Sequence, residues 1–196
     1  MNKEKGQGGI KIFVVVIVLV CLVLGYYYYL SNKRNDKESE QQVKATAVQE
    51  VLMRDLENNY PPTPREVVKY YAEITKCFYA ESYTEEEFHD MAMQIRKLYD
   101  DELAANKTDQ QYLDDLGVDI DLLKGQEIVI SSYSPGSSTD VEEFTQDGYS
   151  WAKTRCTFHL RQGTQFQNTE EIFLLRKDDN GHWKIYGWTL ADDENV

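Results

Sequence analysis

The sequence predicts an α+β protein carried on an N-terminal transmembrane helix. Three observations support this fold class. Residues 10–30 form one continuous apolar segment, apolar residues recur at helical spacing from Val43 to Gly125, and alternating segments rich in β-branched and aromatic residues fill the remainder. Helices that precede an antiparallel sheet in the chain are typical of α+β domains, in which the helices cover one face of the sheet.

Length and composition indicate one globular domain. The chain has 196 residues, of which hydrophobic residues make up 41% and aromatic residues 12%. That composition is rich enough in apolar side chains to bury a core. We therefore predict a short tail over residues 1–9, a transmembrane helix over 10–30, a charged linker over 31–42 and one soluble α+β domain over 43–196.

The charge of the domain argues against a nucleic-acid partner. The whole chain has a net charge of -13, and residues 1–37 contain six basic and two acidic side chains, which is +4. Residues 38–196 therefore carry the difference, -17. A surface this negative repels phosphate backbones, so we expect no nucleic acid to bind.

The apolar segment has the length and the flanks of a membrane span. Its 21 residues, with Lys11 as the only charge, reach about 31 Å as a helix, close to a hydrocarbon thickness of about 30 Å. Tyr26–Tyr29 lie where an aromatic belt is expected, and Lys33 and Arg34 follow at headgroup level. The segment is too long for a cleaved signal peptide, so we expect it to remain as an anchor.

The flanking charges leave the orientation of the span open, because each end has three lysines or arginines when Lys11, near the start of the segment, is counted with the N-terminal flank. Short-tailed N-terminal anchors mostly translocate the chain that follows them. We therefore expect a single-pass protein of the cell membrane whose domain is extracytoplasmic. Protease added to intact cells tests this expectation, because a fully protected domain would contradict it.

Two helices are predicted in the first part of the domain. Apolar residues recur at helical spacing from Val43 to Leu56, and the prolines that begin at Pro61 end this helix. Thr63 is then an N-cap residue, with a proline at the first helical position and Glu66 three residues on. The second helix therefore begins at residue 64.

Two further helices are predicted before the sheet. Thr84 starts a capping box and a third helix, whose apolar stripe runs to Leu103. Thr108 caps a shorter fourth helix that we expect to end at Gly117. Asp119 is then predicted to cap one more turn.

The remaining sequence predicts a sheet of about four strands. Turn sequences at 161–164 and 178–181 join the last three into an antiparallel meander, and residues 134–140 are predicted to form a polar loop. The four predicted strands are Glu127–Tyr133, Tyr149–Leu160, Gln165–Arg176 and Trp183–Leu190.

The end of the chain carries a family resemblance. Residues 178–188 place a turn before Trp183, Lys184 and Ile185 and resemble the last hairpin of the nuclear-transport-factor-2-like superfamily. Together with the helices and the meander, the resemblance covers residues 43–190. It implies a cone-shaped, cystatin-like roll, in which three to four helices pack on a curved, mainly antiparallel sheet.

The whole chain also resembles an uncharacterised family of small membrane-anchored proteins from Gram-positive bacteria. The resemblance rests on the tyrosine-ended span, the link over residues 59–64, the pair Tyr70 and Tyr71, and residues 183–188. It implies a fold and a membrane anchor and supplies no catalytic residue.

Arg155 and His159 are the candidate ligand-binding residues. Strand alternation puts them on one face of the second strand, and the opposite face is more apolar and is predicted to be the core. In this arrangement both candidates face solvent. If the strand has the reverse sense, both line the cavity of the roll and suggest an anionic ligand. The predicted core face consists of Ala152, Thr154, Cys156, Phe158 and Leu160.

No metal ion or cofactor is expected. The three histidines do not have zinc-ligand spacing, and the acidic runs at 85–87 and 100–102 lie in predicted helices, which cannot wrap round an ion. No P-loop, dinucleotide fingerprint or GxSxG motif is found in the sequence. Cys77 and Cys156 are predicted to be buried free thiols, with a disulfide between them as the alternative.

The sequence favours a non-catalytic binding or protein-interaction module at the cell envelope, which recognises an envelope protein, a peptide or a small ligand. This expectation rests on fold-level analogy and on the missing catalytic motifs. The alternative is an isomerase or dehydratase acting on a small hydrophobic ligand, which requires a carboxylate or histidine with a shifted pKa inside the roll. A homodimer through the outer sheet face stays open, because it is ordinary for the superfamily. Aromatic residues that can line a pocket, or simply pack in the core, are Tyr70, Tyr71, Tyr79, Tyr99, Tyr186 and Trp188.

Overall fold

The computed structural model describes residues 45–191. These residues form five α-helices and a five-stranded antiparallel sheet, so the predicted α+β class is confirmed. The predicted tail, span and linker, residues 1–42, lie outside the described residues. Among the helices of residues 45–191, none is both long and apolar enough to cross a membrane.

Residues 45–191 contain five helices, not the predicted three to four. All five lie before the sheet in the chain, and threonine or aspartate caps every one of them. At three of these caps the threonine hydroxyl was recognisable from sequence because its partner is the N–H group three residues on. The helices are α1 Ala47–Leu52, α2 Pro64–Ala80, α3 Glu85–Arg96, α4 Asp101–Ala105 and α5 Asp109–Gly125.

The third predicted helix is interrupted, because the chain after Arg96 pairs with the sheet. The Asp100 N–H donates to the carbonyl of Ile185 at 2.8 Å, and the Ile185 N–H donates to the carbonyl of Leu98 at 2.8 Å. Asp100 then caps α4 through its carboxylate. The predicted end at Gly117 is also wrong, since α5 continues through that glycine to residue 125.

The sheet has five strands rather than about four. Its order is β1-β3-β4-β5, and β2 pairs with the part of β3 that β1 leaves uncovered. The strand missing from the sequence analysis is β2, because its five residues are all exposed and do not alternate. The strands are β1 Ile128–Pro135, β2 Glu142–Gln146, β3 Tyr149–Gln162, β4 Gln165–Lys177 and β5 Trp183–Leu190.

Two register shifts interrupt the ladders. One separates Ile130 from Ser132 in β1, and the other leaves Tyr186 of β5 without a place in the register opposite β4. Bulges of this kind bend a strand and increase its twist. They lie in β1 and β5, the strands at the two ends of the sheet order.

The core lies between the helices and one face of the sheet. The long helix α2 packs on β1, β3 and β5, and its buried residues include Ile74 and Phe78. The predicted core face of β3 is confirmed, with Ala152 and Cys156 fully buried. Cys77 and Cys156 are buried free thiols, as predicted, and no disulfide joins them.

An arginine joins α4 to the outer face of the sheet. The Arg176 guanidinium donates to the Asp100 carboxylate at 2.9 and 2.6 Å and to the Glu102 carboxylate at 2.8 Å. It also lies 4.9 Å from the ring centroid of Tyr149 and 5.0 Å from that of Tyr186. Asp100 is almost completely buried, so this arginine supplies its counter-charge.

Candidate functional site

A cavity of about 530 Å³ lies between α2, α5 and the inner face of the sheet. Tyr71 and Phe78 of α2 line one side of it, and Phe158 and Leu160 of β3 line another. The lining is mainly apolar and aromatic. Its exposed members, including Asn106 and Lys107, mark the mouth beside α5.

Glu171 is the carboxyl group on the sheet side of this cavity. It lies on β4 opposite Cys156 of β3, between Thr169 and Phe173 on the inner face. Its Oε2 atom is covered and has no hydrogen-bond partner in the described part of the chain. Burial raises the pKa of Glu171 to about 7, because a low-dielectric environment disfavours the ionised form.

Tyrosine hydroxyls and a cysteine thiol lie close enough to Glu171 for its charge to act on them. Burial first, and then the charge of Glu171, raise the pKa of Tyr71 well above its ordinary value and the pKa of Cys156 to about 12. Burial likewise raises the pKa of Tyr79 to about 12. These side chains therefore stay protonated at neutral pH and do not neutralise the carboxyl group.

The basic residues that line the cavity form ion pairs with carboxylates at its mouth. Arg96 Nε is 2.9 Å from the Asp109 carboxylate, and the same guanidinium donates to the carbonyl of Ala104. Lys107 Nζ is 2.6 Å from the Asp115 carboxylate. Exposed pairs of this kind keep the mouth polar while the interior remains apolar.

The site therefore combines an apolar space with a buried carboxyl oxygen, Glu171 Oε2, that has no hydrogen-bond partner among residues 45–191. A ligand that fills the space removes apolar surface from water, and a donor on the ligand satisfies the carboxyl group. Such a site can bind a small molecule in one orientation. It can also move a proton, because a carboxyl group with a pKa near 7 exists in both forms at neutral pH.

Comparison with known protein families assigns the chain to a family. A family model described as "Domain of unknown function (DUF6715)" matches residues 1–188. The chain belongs to the DUF6715 family. No curated protein matches it. The matched range includes the residues of the predicted span and all the residues that line the cavity of the DUF6715 domain.

Arg155 and His159 of this DUF6715 domain lie on the outer face of β3. Arg155 forms an ion pair with Glu170 at 3.2 Å. The two ring nitrogens of His159 lie 3.0 Å from the Ser134 hydroxyl and 2.8 Å from the Asn168 side-chain oxygen. Neither candidate lines the cavity, so the strand has the sense that directs both outward.

The other two histidines lie apart from the cavity. His182 stacks on the ring of Tyr60 with centroids 4.4 Å apart, and His89 is beside Asp90 at the start of α3. Within residues 45–191 no group of three or more histidine, cysteine or acidic side chains is placed to hold a metal ion.

Five of the six aromatic candidates from the sequence lie in the core or in the lining of the cavity. Tyr70 lies in the core, where its hydroxyl donates to the carbonyl of Val51 at 2.6 Å. The cavity of the DUF6715 domain is lined by Tyr71, Tyr79, Tyr99 and Trp188. Sequence reasoning missed Glu171, although strand alternation puts it on the same face as the buried Phe173, where a charged residue is unexpected.

Proposed function

We propose that this DUF6715 chain is a membrane-anchored binding module of the cell envelope that takes a small, largely apolar ligand into its cavity. One observation carries the proposal: a cavity of about 530 Å³ with a mainly apolar lining contains a carboxyl group on its sheet side, Glu171, whose buried Oε2 has no hydrogen-bond partner in residues 45–191. Small-molecule sites typically enclose about 300–1,000 Å³ and orient the ligand with few polar groups.

The polar lining favours binding over catalysis. No histidine, serine or cysteine is found among the described residues that line the cavity, so no nucleophile and base are paired there. The Thr75 hydroxyl in the lining donates to the carbonyl of Tyr71 at 2.8 Å and is engaged. Glu171 therefore acts as a single orienting contact for the ligand.

The location and the finer fold are part of the same proposal. The domain is a nuclear-transport-factor-2-like roll, held at the extracytoplasmic surface by the span at residues 10–30. The resemblance of residues 178–188, the order of helices before the sheet and the two register shifts support the roll. The 21-residue apolar segment with its tyrosine belt supports the anchor.

Binding of a fluorescent apolar probe tests the proposed function. The full chain in detergent micelles is titrated with Nile red, whose emission rises in an apolar site. Leu160→Trp fills the cavity and should abolish the protein-dependent signal, whereas Arg161→Trp on the outer face should leave it unchanged. A signal that is equal in both variants would contradict the proposal, because it would come from the micelle or the surface.

A second candidate function, an isomerase acting on a hydrophobic carbonyl compound, is favoured by the position of Glu171 and its pKa of about 7. The carboxylate would take a proton from the carbon beside the carbonyl and return it to another carbon of the same molecule. Deuterium incorporation from heavy water into an unsaturated ketone tests it. Exchange that is lost in Glu171→Gln and kept in Glu170→Gln supports this function, and exchange that is equal in both contradicts it.

A further inference from the structure

Four aromatic side chains lie side by side in the lining of the cavity. The ring centroids of Tyr71 and Trp188 are 5.8 Å apart, those of Trp188 and Tyr99 are 5.9 Å apart, and those of Tyr99 and Tyr112 are 5.9 Å apart. All four residues line the cavity. We name Tyr71, Tyr99, Tyr112 and Trp188 the aromatic wall.

Glu171 adjoins this wall. It lies two residues before Phe173, whose register partner on β5 is Trp188, so Trp188 is its diagonal neighbour on the inner face. The Phe173 ring contacts Trp188 at 6.2 Å and Tyr71 at 5.3 Å between centroids. The carboxyl group and the aromatic wall therefore face the same space.

No cation of the described residues compensates Glu171. Burial is the cause of its raised pKa, and the lining cations Arg96 and Lys107 are paired with carboxylates at the mouth. A buried carboxylate without a counter-charge favours a ligand that brings one. Aromatic rings attract the same kind of ligand, because the face of each ring is electron-rich.

We infer that the cavity selects a small protonated amine joined to an apolar group, with the ammonium held between Glu171 and the aromatic wall. This inference rests on the proposed function. The ammonium supplies both the positive charge and the hydrogen-bond donor that the carboxyl group lacks. The net charge of the chain, -13, also raises the local concentration of cations.

The inference gives a definite pH dependence. Glu171 must lose its proton to pair with the ammonium, so affinity should rise about tenfold from pH 6 to pH 8 for a pKa of about 7. Tyr71 and Tyr79 from α2 and Cys156 from β3 lie close enough to interact with its charge, Tyr112 from α5 lines the same cavity, and burial raises the pKa of each. The charged groups at the mouth are Arg96, Lys107, Asp115 and Asp119.

Matched probes separate this inference from the proposed function. Phenethylamine and phenethyl alcohol have the same ring and chain length and differ in the polar group. Their binding to the full chain in detergent micelles is measured by calorimetry at pH 6 and pH 8, and the signal of Leu160→Trp is subtracted. We expect the amine to bind at least tenfold more tightly than the alcohol at pH 8, and Glu171→Gln to remove that preference.

The possible results lead to different conclusions. Equal affinity for the amine and the alcohol, or a preference for the amine that survives in Glu171→Gln, would overturn the inference and leave the proposed cavity function standing. Binding of neither probe, together with a Nile red signal that Leu160→Trp does not reduce, would overturn both. Glu170→Gln on the outer face is the matched control and should keep the preference.

Discussion

Replacement of Glu171 by glutamine should stabilise the folded domain at and above neutral pH. The carboxyl group is buried without a partner for Oε2, and the neutral amide has nearly the same shape. Burial raises the pKa of the folded state from an ordinary value of 4.5 to about 7. The folded state therefore holds the proton more tightly than the unfolded state does, and the ionised carboxylate opposes folding.

The size of the effect follows from the shift. Protonation of Glu171 stabilises the fold fully below pH 4.5, and that stabilisation is lost as the pH rises through 7. A difference of about 2.5 pKa units corresponds to about 3 kcal/mol. For a domain of this size, that free energy corresponds to about 6–12 °C in Tm. Glu171→Gln should gain this amount at pH 8 and only about 1 kcal/mol at pH 5.

Thermal unfolding followed by circular dichroism measures the difference. The full chain and its variant are compared in the same detergent at pH 5 and pH 8, with Glu170→Gln as the control, because that residue is on the outer face and paired with Arg155. Carbon NMR of the carboxyl group gives its pKa directly. A Glu171→Gln chain that is no more stable than the parent at pH 8 would refute the reasoning.

Three further predictions follow from the contacts. Arg176→Ala should destabilise the domain by about 3 kcal/mol in chemical unfolding, because it leaves the buried Asp100 without its counter-charge. Gly117→Ala should stabilise the domain by about 0.7 kcal/mol, because this position is inside α5 and an added Cβ meets no atom within 4 Å. Gly181→Ala should instead destabilise it by about 1 kcal/mol, because the backbone there has a φ of +83°, which disfavours residues with a Cβ. In a Cys21→Ala chain, the two core thiols should react with Ellman's reagent only on unfolding, because burial raises both pKa values to about 11 or above.

The starts of the helices could be predicted from sequence, whereas their ends could not. A threonine cap acts on a backbone group three residues on, so Thr63, Thr84 and Thr108 reveal their role locally. The end of α3 depends instead on hydrogen bonds between Leu98, Asp100 and Ile185, residues that lie almost ninety positions apart. No local pattern contains that information.

The errors at Gly117 and in β2 have a different physical cause. A glycine inside a helix destabilises it by only about 1 kcal/mol relative to alanine, so packing of the neighbouring residues is enough for α5 to continue past Gly117. Glu142–Gln146 forms a strand because β3 extends beyond its pairing with β1 and leaves backbone groups with which β2 can pair. Tertiary context decides both, and local propensity is the weaker influence.

The position of Glu171 on the inner face of the sheet could be predicted from sequence, but the cavity in front of it could not. The alternation that assigned the core face of β3 correctly also applies to β4, where it puts Glu171 beside Phe173 and Leu175 on a buried face. The cavity in front of Glu171 depends on how far α2 and α5 stand from the sheet, which no periodicity encodes. Arg155 and His159 stood out by residue type, yet the site lies on the other face of their strand.

The Glu171 carboxyl group links the stability of the domain to ligand binding. If the Glu171 carboxylate opposes folding at neutral pH, a ligand that brings a positive charge to it returns part of that free energy when it binds. Binding of phenethylamine should therefore raise the Tm of the parent chain more than that of Glu171→Gln, although the variant is the more stable protein without ligand. An unpaired buried charge that lowers stability is expected at a site where ligand binding requires that charge. If Glu171 had no role in binding, phenethylamine would raise the Tm of the parent chain and of Glu171→Gln by the same amount.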